Sequence, residues 1–405
     1  MDILKIFFLL IIPLSFLLSQ IVRVQLGNGL SLNILDITVG FAVIIMFIQS
    51  ILEKKLHLFL KDNIRKGILI FIGVAVLSLT LNSPSLSLQQ FIISGLYILR
   101  WIAYAFLFLL IKEYGIKDKK RIQHAMLTTG VLFIIFGFIQ FSYYNDLVNL
   151  FYLGWDEHKY RLFSTFLDPN FSGIFLVLFL LFIVGKRLEK QQKALTKIKL
   201  LLSVLFALAA GALILTFSRG AFVMLFFSFA VFFLLIGKKQ WIIIMIGIML
   251  ITGIVLSRRF YIESVNPFRT FSSNARLISM GQALEMFYKH PVLGVGFNSY
   301  RYAQLRLGFR KQINIERSHA DSGSDNSFLF ILATTGIVGF TAYLSMLSAI
   351  LLRVYRVFRE KKSTYSAAVF SSIIGLCVAS IFTNALFFPP LMLWTWVMLG
   401  VTEKN

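Results

Sequence analysis

The sequence predicts an all-α, polytopic transmembrane helix bundle of about twelve helices, in which residues 1–405 form a single membrane domain. The chain is 58% hydrophobic and only 14% charged, and its mean hydropathy is +0.81. It contains repeated apolar runs of about 17–25 residues, each long enough to cross the hydrocarbon core of a bilayer. In lipid a helix satisfies its own backbone hydrogen bonds, so these runs are expected to be helical.

The apolar runs place the helices in order along the chain. The predicted spans are residues 3–19, 30–52, 67–82, 91–111, 122–142, 170–185, 198–216, 220–236, 240–257, 327–352, 365–384 and 387–402. The last span is the weakest, because Pro389 and Pro390 interrupt it. The first run lacks a small-residue cleavage site after it and is expected to be a retained span rather than a removed signal peptide.

The distribution of Lys and Arg sets the predicted orientation. With the N-terminus in the cytoplasm, the inner segments hold 25 of the 40 Lys and Arg residues and the short outer loops hold four. The positive-inside rule therefore places both termini in the cytoplasm. Most of the net charge of +22 reflects this asymmetry. Because the basic residues are scattered over several loops, no nucleic-acid partner is expected.

One outer segment does not fit the pattern of short loops poor in Lys and Arg. Residues 258–325, between helices 9 and 10, carry ten Lys and Arg against five Asp and Glu. Topology permits a basic outer loop of this length but does not require it. A phosphate-bearing lipid at the outer membrane face is the simplest reason for the charge.

An amphipathic helix is predicted within this long extracytoplasmic loop. Apolar residues recur at helical spacing before Pro291 ends the run: Leu277, Met280, Leu284 and Phe287. Three residues offer N-caps: Ser272, Ser273 and Asn274. Arg276 then falls in the first turn, where a cation opposes the helix dipole.

Helix 8 begins with the same arrangement. Ser218 is the predicted N-cap and Arg219 lies in the first turn. Either Arg219 extends to the lipid headgroups, or a bound phosphate resolves the electrostatic conflict. Arg219 and Arg276 on the same membrane face would present two guanidinium groups to a pyrophosphate.

Two residues near the start of helix 10 are candidate proton acceptors. Asp325 either caps this helix or, next to two arginines, accepts a proton from a sugar hydroxyl. His319 is the rival base and ranks second, because a lone loop histidine is more often simply solvated. At helix 6, Asp168 and Pro169 are explained as an N-cap and a first helical residue. Arg161, just before them, is not explained by capping.

Arg100 lies nine residues into helix 4, too deep to be a simple headgroup anchor. Ionisable groups inside a membrane are rare and are usually paired or functional. Asp36, at a similar depth below the outer end of helix 2, is the only acid available at that level. A structural Arg100–Asp36 ion pair is therefore expected.

Four stretches, in order, resemble the O-antigen ligase/polymerase family over about residues 150–345. They are Arg161 to Asn170, Ser218-Arg219-Gly220, Arg276 followed by residues 289–300, and Asn326-Ser327 with residues 335–339. The resemblance implies a metal-independent membrane glycosyltransferase that acts on undecaprenyl-pyrophosphate-linked glycans. Ligase members usually carry histidine where this chain has Asp325.

The resemblance gives the residues roles. It implies that Arg219 and Arg276 bind the substrate pyrophosphate. From the residues themselves, Arg161 is expected to steer a phosphate or a sugar acid, and Asp325, with His319 as its rival, is expected to be the catalytic base. A polysaccharide polymerase in the bacterial cytoplasmic (inner) membrane is the preferred function. The alternatives are a ligase with another acceptor, and a polysaccharide flippase or transporter. Transporters tend to show internal repeats and helices broken at mid-membrane, whereas the polar features here collect at one face.

The expected partners are the undecaprenyl-pyrophosphate-linked glycan, membrane lipid and other polysaccharide-assembly proteins. No cofactor and no metal are expected. The first outer loop, residues 20–29, contains no acid and offers no paired carboxylates for a divalent cation. Five scattered histidines and the single cysteine, Cys377, form no plausible metal-ligand pattern.

The orientation is testable by cysteine labelling in a Cys377→Ser background. Cysteines placed within residues 258–325 should react with a membrane-impermeant maleimide in intact cells. Cysteines within residues 186–199 should react only after permeabilisation, because six Lys and Arg hold that loop in the cytoplasm. Labelling of the 186–199 loop in intact cells would overturn the predicted topology.

Overall fold

The computed structural model describes residues 7–25, 31–52, 63–112, 116–153, 155–189, 196–256, 266, 271–309 and 323–402. Within these residues the chain is almost entirely helical, and its only strands form one short hairpin. The all-α class predicted from the apolar runs is therefore confirmed. The candidate base His319 lies outside the described residues.

Fourteen α-helices and two strands follow one another in this part of the chain. In order they are α1 (Ile12–Leu18, after a π-helical turn at Phe7–Ile11), β1 (Arg23–Gln25), β2 (Ser31–Asn33), α2 (Ile34–Leu52), α3 (Asn63–Leu81), α4 (Leu88–Lys112), α5 (Ile116–Tyr143), α6 (Pro169–Arg187), α7 (Thr196–Leu215), α8 (Arg219–Leu235), α9 (Gln240–Leu256), α10 (Phe271–Lys289), α11 (Tyr300–Arg306), α12 (Ser327–Lys361), α13 (Thr364–Ala379) and α14 (Pro389–Thr402). The strands pair antiparallel.

Six of the described helices are long and apolar enough to cross a membrane: α3, α4, α5, α6, α7 and α12. Six more are apolar but shorter: α1, α2, α8, α9, α13 and α14. Each predicted span overlaps one of these twelve helices. The chain is thus a multi-pass membrane protein, and the crossing of the bilayer by the shorter helices stays a prediction. The end at which α6, α8 and α12 begin is called the outer end, following the predicted orientation.

Helix α6 lies at the centre of the bundle, since 83% of its most apolar stretch is buried. Its Phe175 packs against Phe16 of α1, Phe133 of α5 and Trp394 of α14. The ring centroids are 5.0, 4.6 and 4.9 Å apart. Inclined aromatic pairs at these distances add to the stabilisation from apolar burial. The first turn of α6 is consequently held on a rigid support.

The predicted Arg100–Asp36 pair is confirmed. Arg100 Nη2 lies 2.6 Å from Asp36 Oδ2, and the Tyr104 hydroxyl donates a 3.0 Å hydrogen bond to Asp36 Oδ1. The Arg100 guanidinium also lies 4.4 Å from the centroid of the Tyr97 ring. A charged side chain within a membrane bundle needs such partners, because lipid offers none.

The start of α2 differs from the prediction. The apolar run begins at residue 30, but residues 31–33 form β2 and the helix begins at Ile34. The Asn33 side chain accepts a 2.8 Å hydrogen bond from the Asp36 backbone N–H, as an N-cap does. Asp36 therefore lies in the first turn of α2, where the helix dipole favours a carboxylate. Hydropathy did not locate this boundary, because an apolar β-strand and an apolar helical turn have the same composition.

Helix α12 is broken at Gly336, whose φ of 63° and ψ of −167° are not helical. The break lies within an apolar span, so the freed backbone groups need partners. The segment Pro291–Gly296, which follows α10, supplies them. The Val295 N–H donates to the Ala333 carbonyl at 3.0 Å, and the Ile337 N–H donates to the Pro291 carbonyl at 2.9 Å.

Helix α3 fixes the same segment from the other side. The Ser78 hydroxyl lies 2.7 Å from the Leu293 carbonyl and 2.9 Å from the Thr334 carbonyl. Asn82 Nδ2 donates to the Gly294 carbonyl at 3.1 Å. Residues 291–296 are thus bonded to two helices of the bundle. The sequence prediction treated them as part of an outer loop and did not foresee this contact.

A helix, α10, lies where the amphipathic helix was predicted in the long segment, and it ends before Pro291 as expected. The residues predicted to form its apolar face are not the ones that it buries. Its bundle-facing side buries Ala283 and Met286, while Leu277 and Leu284 remain exposed. The predicted start is wrong, because the helix already begins at Phe271. The three proposed N-caps lie inside its first turn: Ser272, Ser273 and Asn274. Arg276 consequently lies in the second turn.

The contact between residues 291–296 and α12 requires glycine at position 294. Gly294 has a φ of +65°, and a Cβ there would lie 2.5 Å from the Thr335 nitrogen. Gly294→Ala should therefore destabilise the protein by roughly 3 kcal/mol or more, through strain and overlap with backbone. The matched control is Gly281→Ala in α10, where a Cβ meets nothing within 4 Å. Thermal unfolding in detergent measures both, and equal melting temperatures would contradict the assigned contact.

Candidate active site

Polar residues cap the outer ends of three helices. Asp168 caps α6, accepting from the Asn170 N–H at 2.6 Å, and Pro169 is the first helical residue. The Ser218 hydroxyl caps α8, accepting from the backbone N–H of residue 221 at 3.4 Å. Both caps were predicted. Helix α12 is capped by Asn326, which accepts from the N–H groups of residues 328 and 329 at 2.9 and 3.0 Å.

The cap of α12 decides one of the alternatives for Asp325. Because Asn326 makes the capping bonds, the Asp325 side chain does not. The Asp325 backbone N–H donates to the Ser279 hydroxyl of α10 at 3.2 Å, and no described residue hydrogen-bonds its carboxylate. The carboxylate is therefore held near α10 without being used by the helix end.

Arg161 ties the outer ends of α6 and α8 together. Its Nε donates to the Thr216 carbonyl at 2.8 Å, and its Nη2 donates to Asn170 Oδ1 at 3.3 Å. Asn170 Oδ1 also accepts from the Ser218 hydroxyl at 3.2 Å. Arg161 is only 5% exposed. Its guanidinium thus lies beneath the start of α8, where Arg219 is the first helical residue.

Gln140 of α5 holds the backbone from which Arg161 projects. Its Oε1 accepts hydrogen bonds from the Phe163 and Ser164 N–H groups at 2.8 and 3.0 Å. Its Nε2 donates to the Arg161 carbonyl at 3.3 Å and to the Tyr144 carbonyl at 2.9 Å. One buried amide thereby satisfies four backbone groups of an irregular segment, which would otherwise carry a desolvation cost. The sequence analysis did not single out Gln140. The available signal was its position as a polar residue near the outer end of an apolar span.

Asp325 lies in an electrostatic environment set by residues of two other segments. Burial raises the pKa of the Asp325 carboxyl above its ordinary value. The nearby Arg276 guanidinium opposes this rise in pKa, and the nearby Asp168 carboxylate adds to it. A raised pKa is what a carboxylate needs to act as an acid or base near neutral pH.

Asp156 joins the same cluster and was not predicted. It reaches the surface, yet partial burial raises the pKa of its carboxyl. Asp168 and Asp325 raise this pKa further, whereas Arg161 lowers it. These electrostatic effects link Asp156 to Asp168, Asp325 and Arg161, as those on Asp325 link it to Arg276 and Asp168.

The structure therefore brings most of the predicted site together. Asp325, Arg276 and Arg161 share one electrostatic cluster. Half-buried Arg219 follows Ser218, which is bonded to Asn170 at the edge of that cluster. The described part of the site thus offers guanidinium groups for an anion and, beside them, a carboxylate that can accept a proton. The position of His319 is not described.

Comparison with protein families gives one match, over the second half of the chain. Residues 204–344 match the family model described as O-Antigen ligase. The matched stretch includes Arg219, Arg276 and Asp325 and begins after Arg161 and Asp168. No curated protein matches the chain.

The raised pKa of Asp325 predicts how its replacement changes stability with pH. Because the folded-state pKa lies above the unfolded value, ionisation of Asp325 costs the folded state stability above that folded pKa. The cost is absent below the ordinary value of 3.8. Asp325→Asn should therefore raise the melting temperature at pH 7.5, by about 1–2 °C.

The gain should shrink as the pH falls towards 4, since the wild-type carboxyl then becomes protonated. Glu157→Gln is the control, because Glu157 is exposed and pairs with Lys159 at the surface. It should show no such gain. A lower melting temperature for Asp325→Asn at pH 7.5 would mean that its carboxylate stabilises the fold.

Proposed function

We propose that this chain, which belongs to the O-antigen ligase family over residues 204–344, is a polysaccharide polymerase. It joins undecaprenyl-pyrophosphate-linked repeat units at the outer face of the bacterial cytoplasmic membrane. The observation that supports the proposal is the Asp325 carboxylate, which is not used by the α12 cap and is within electrostatic range of Arg276. Other polysaccharide-assembly proteins and membrane lipid are its proposed partners.

The donor is a growing glycan on its lipid pyrophosphate. Arg219 and Arg276 bind the two phosphates, since guanidinium groups form bidentate hydrogen bonds with phosphate oxygens. Arg219 also lies at the N-terminus of α8, where backbone N–H groups favour an anion. Arg161 adds a third positive charge beneath them. Its bonds to Thr216 and Asn170 fix it in place.

The reaction is a glycosyl transfer in which a hydroxyl of the incoming repeat unit attacks the anomeric carbon. A new carbon–oxygen bond forms, and the bond from the anomeric carbon to the pyrophosphate oxygen breaks. The electron pair leaves with the lipid pyrophosphate, whose developing charge the arginines stabilise. Asp325 accepts the hydroxyl proton. Its raised pKa brings its proton affinity closer to that needed near neutral pH.

A ligase is the second candidate function, because the family match covers ligases and polymerases alike. It would use the same donor chemistry and transfer the glycan to another acceptor. The residue at position 325 favours the polymerase, since the resemblance places histidine there in most ligases. An outer membrane in the source organism is a requirement for the ligase and not for the polymerase.

The arginine roles are tested by polymer formation in a strain whose own copy of the gene is deleted. Arg219→Ala and Arg276→Ala should each abolish the polymer ladder while the protein remains inserted and expressed. Lysine at either position should restore only part of the activity, because a point charge does not reproduce the bidentate geometry. The matched control is Arg356→Ala, an exposed arginine at the other end of α12, which should leave the ladder unchanged. Full activity in Arg219→Ala or Arg276→Ala would refute the proposed pyrophosphate site.

The same assay separates the two candidate bases. Asp325→Asn should lose nearly all activity without loss of protein, since Asn326 continues to cap α12. His319→Ala should then retain activity. The reverse pattern would make His319 the base and leave Asp325 as an electrostatic neighbour of Arg276.

A further inference from the structure

The loop between α13 and α14, residues 380–388, lies against the starts of other helices at the outer end of the bundle. The Ser327 hydroxyl, in the first turn of α12, accepts a 3.2 Å hydrogen bond from the Leu386 N–H. The Phe388 ring stacks on the ring of Phe171, in the first turn of α6, with centroids 4.0 Å apart. This loop is therefore fixed to both α12 and α6.

The same loop borders the start of α8. A Cβ placed on Gly220 would lie 3.9 Å from the Cβ of Phe382, and Gly220 directly follows Arg219. The loop thus lies near the proposed pyrophosphate site as well as near the segment that carries Asp325. The match to the family model ends at residue 344, before this loop begins.

Two buried polar atoms lie where this loop meets the residues before α12. Asn384 Nδ2 lies 3.2 Å from the position that a Cβ of Gly323 would take. Ser324 follows Gly323 and is only 1% exposed. Asn384 Oδ1 and the Ser324 hydroxyl are both buried, and neither has a hydrogen-bond partner in the part of the chain that the structure describes.

Burial by itself does not explain why these two atoms are unpaired. Ser327, three residues after Ser324, is fully buried, and its hydroxyl lies 3.2 Å from the Leu386 nitrogen and 3.5 Å from the Thr383 carbonyl oxygen. An unpaired buried polar atom lowers the stability of the folded state, and most such atoms in proteins are paired. Groups that are left unpaired beside a candidate active site are available to a ligand.

The chemistry of these two atoms suits the hydroxyl groups of a sugar. An amide oxygen accepts hydrogen bonds, and a serine hydroxyl both donates and accepts them. Neighbouring sugar hydroxyls can do both as well. Neither Asn384 nor Ser324 carries a charge, so they offer a phosphate much less than Arg219 or Arg276 would. Asp325, the proposed proton acceptor, directly follows Ser324.

We propose that Asn384 and Ser324 bind hydroxyl groups of the acceptor glycan, next to the hydroxyl that Asp325 deprotonates. The assignment to the acceptor glycan rests on the proposed polymerase function. Asn384 is half-buried, so rotation of its side chain brings the amide to the surface. Asn384 Oδ1 then accepts from one sugar hydroxyl, and Ser324 bonds a second. These bonds hold the attacking hydroxyl in position.

The first test compares two buried serines by thermal unfolding of the full-length protein in detergent. Ser324→Ala removes an unpaired hydroxyl and should raise the melting temperature by about 1–2 °C. Ser327→Ala is the matched control. It removes a hydroxyl that has partners and should lower the melting temperature by a similar amount.

The second test measures binding of the repeat-unit oligosaccharide, released by mild acid from the lipid-linked precursor of the deletion strain. It carries the sugars without the pyrophosphate. The oligosaccharide should raise the melting temperature of the wild type, because it binds the folded state. Ser324→Ala and Asn384→Leu should each increase the half-saturating concentration at least about tenfold, the effect of losing one hydrogen bond. Arg219→Ala should leave this concentration unchanged.

Three outcomes would overturn the assignment. A lower melting temperature for Ser324→Ala would mean that its hydroxyl stabilises the fold. Oligosaccharide binding that is absent in the wild type, or unchanged in both variants, would mean that the two atoms bind no sugar. Weakened binding in Arg219→Ala would place the oligosaccharide in the donor site. Binding does not require polymer synthesis, so a wild type that binds the oligosaccharide at this site without forming polymer would refute only the polymerase function.

Discussion

The requirement that every backbone polar group inside a membrane bundle find a partner governs the outer half of this protein. Helix α12 is broken at Gly336, and the freed groups are bonded by the segment from Pro291 to Gly296. Lipid offers no hydrogen bonds, so neither the break nor this segment could exist at that depth without the other. Ser78 of α3 and Asn82, which directly follows this helix, complete the arrangement. What hydropathy marks as an outer loop is thus partly an internal element of the bundle.

This contact also places the candidate catalytic groups. Residues 291–296 directly follow α10, so their bonds fix the C-terminal end of this helix. Arg276 lies near the other end of the same helix, in its second turn. Ala283 and Met286 of α10 pack into the same apolar cluster as Ala333 of α12. Asp325, just before α12, is bonded through its backbone to Ser279 of α10. Helix α10, which carries Arg276, and the segment that carries Asp325 are therefore held against each other where α12 is broken, and Arg276 influences the pKa of Asp325 across this junction.

Electrostatically unfavourable charged groups are concentrated at the outer end of the bundle. Three carboxylates lie near one another, and burial keeps the pKa values of Asp156 and Asp325 raised. Arg161 is held by backbone and amide oxygens rather than by an acid in the contacts described for it. Partly buried charges of this kind lower the stability of the folded state, and they are expected where a ligand uses the charge.

Much of the fold and part of the site were predictable from the sequence. The helices follow from apolar runs, because a bilayer leaves the backbone few alternatives. The Arg100–Asp36 pair follows from scarcity, since a buried cation needs an anion and only one acid lies at its level. The caps Asp168 and Ser218 follow from local chemistry, because a capping side chain bonds N–H groups only two or three residues away. The helices, the ion pair and the caps depend only on neighbouring residues in the sequence or on the bilayer as the solvent.

The remaining features were decided by tertiary structure. Asp325 and Asn326 are equally good caps in sequence, and the helix geometry assigns the cap to Asn326. The break at Gly336 is not evident from the local sequence, because Thr335-Gly336 is also compatible with a continuous helix. The break depends on hydrogen bonds to residues 291–296, which are distant in sequence. Gln140 finds three of its four partners more than twenty residues away. Long-range hydrogen bonds of this kind depend on which segments meet in space. Sequence alone therefore determined which side chains could form the site, and packing determined which of them remained available for chemistry.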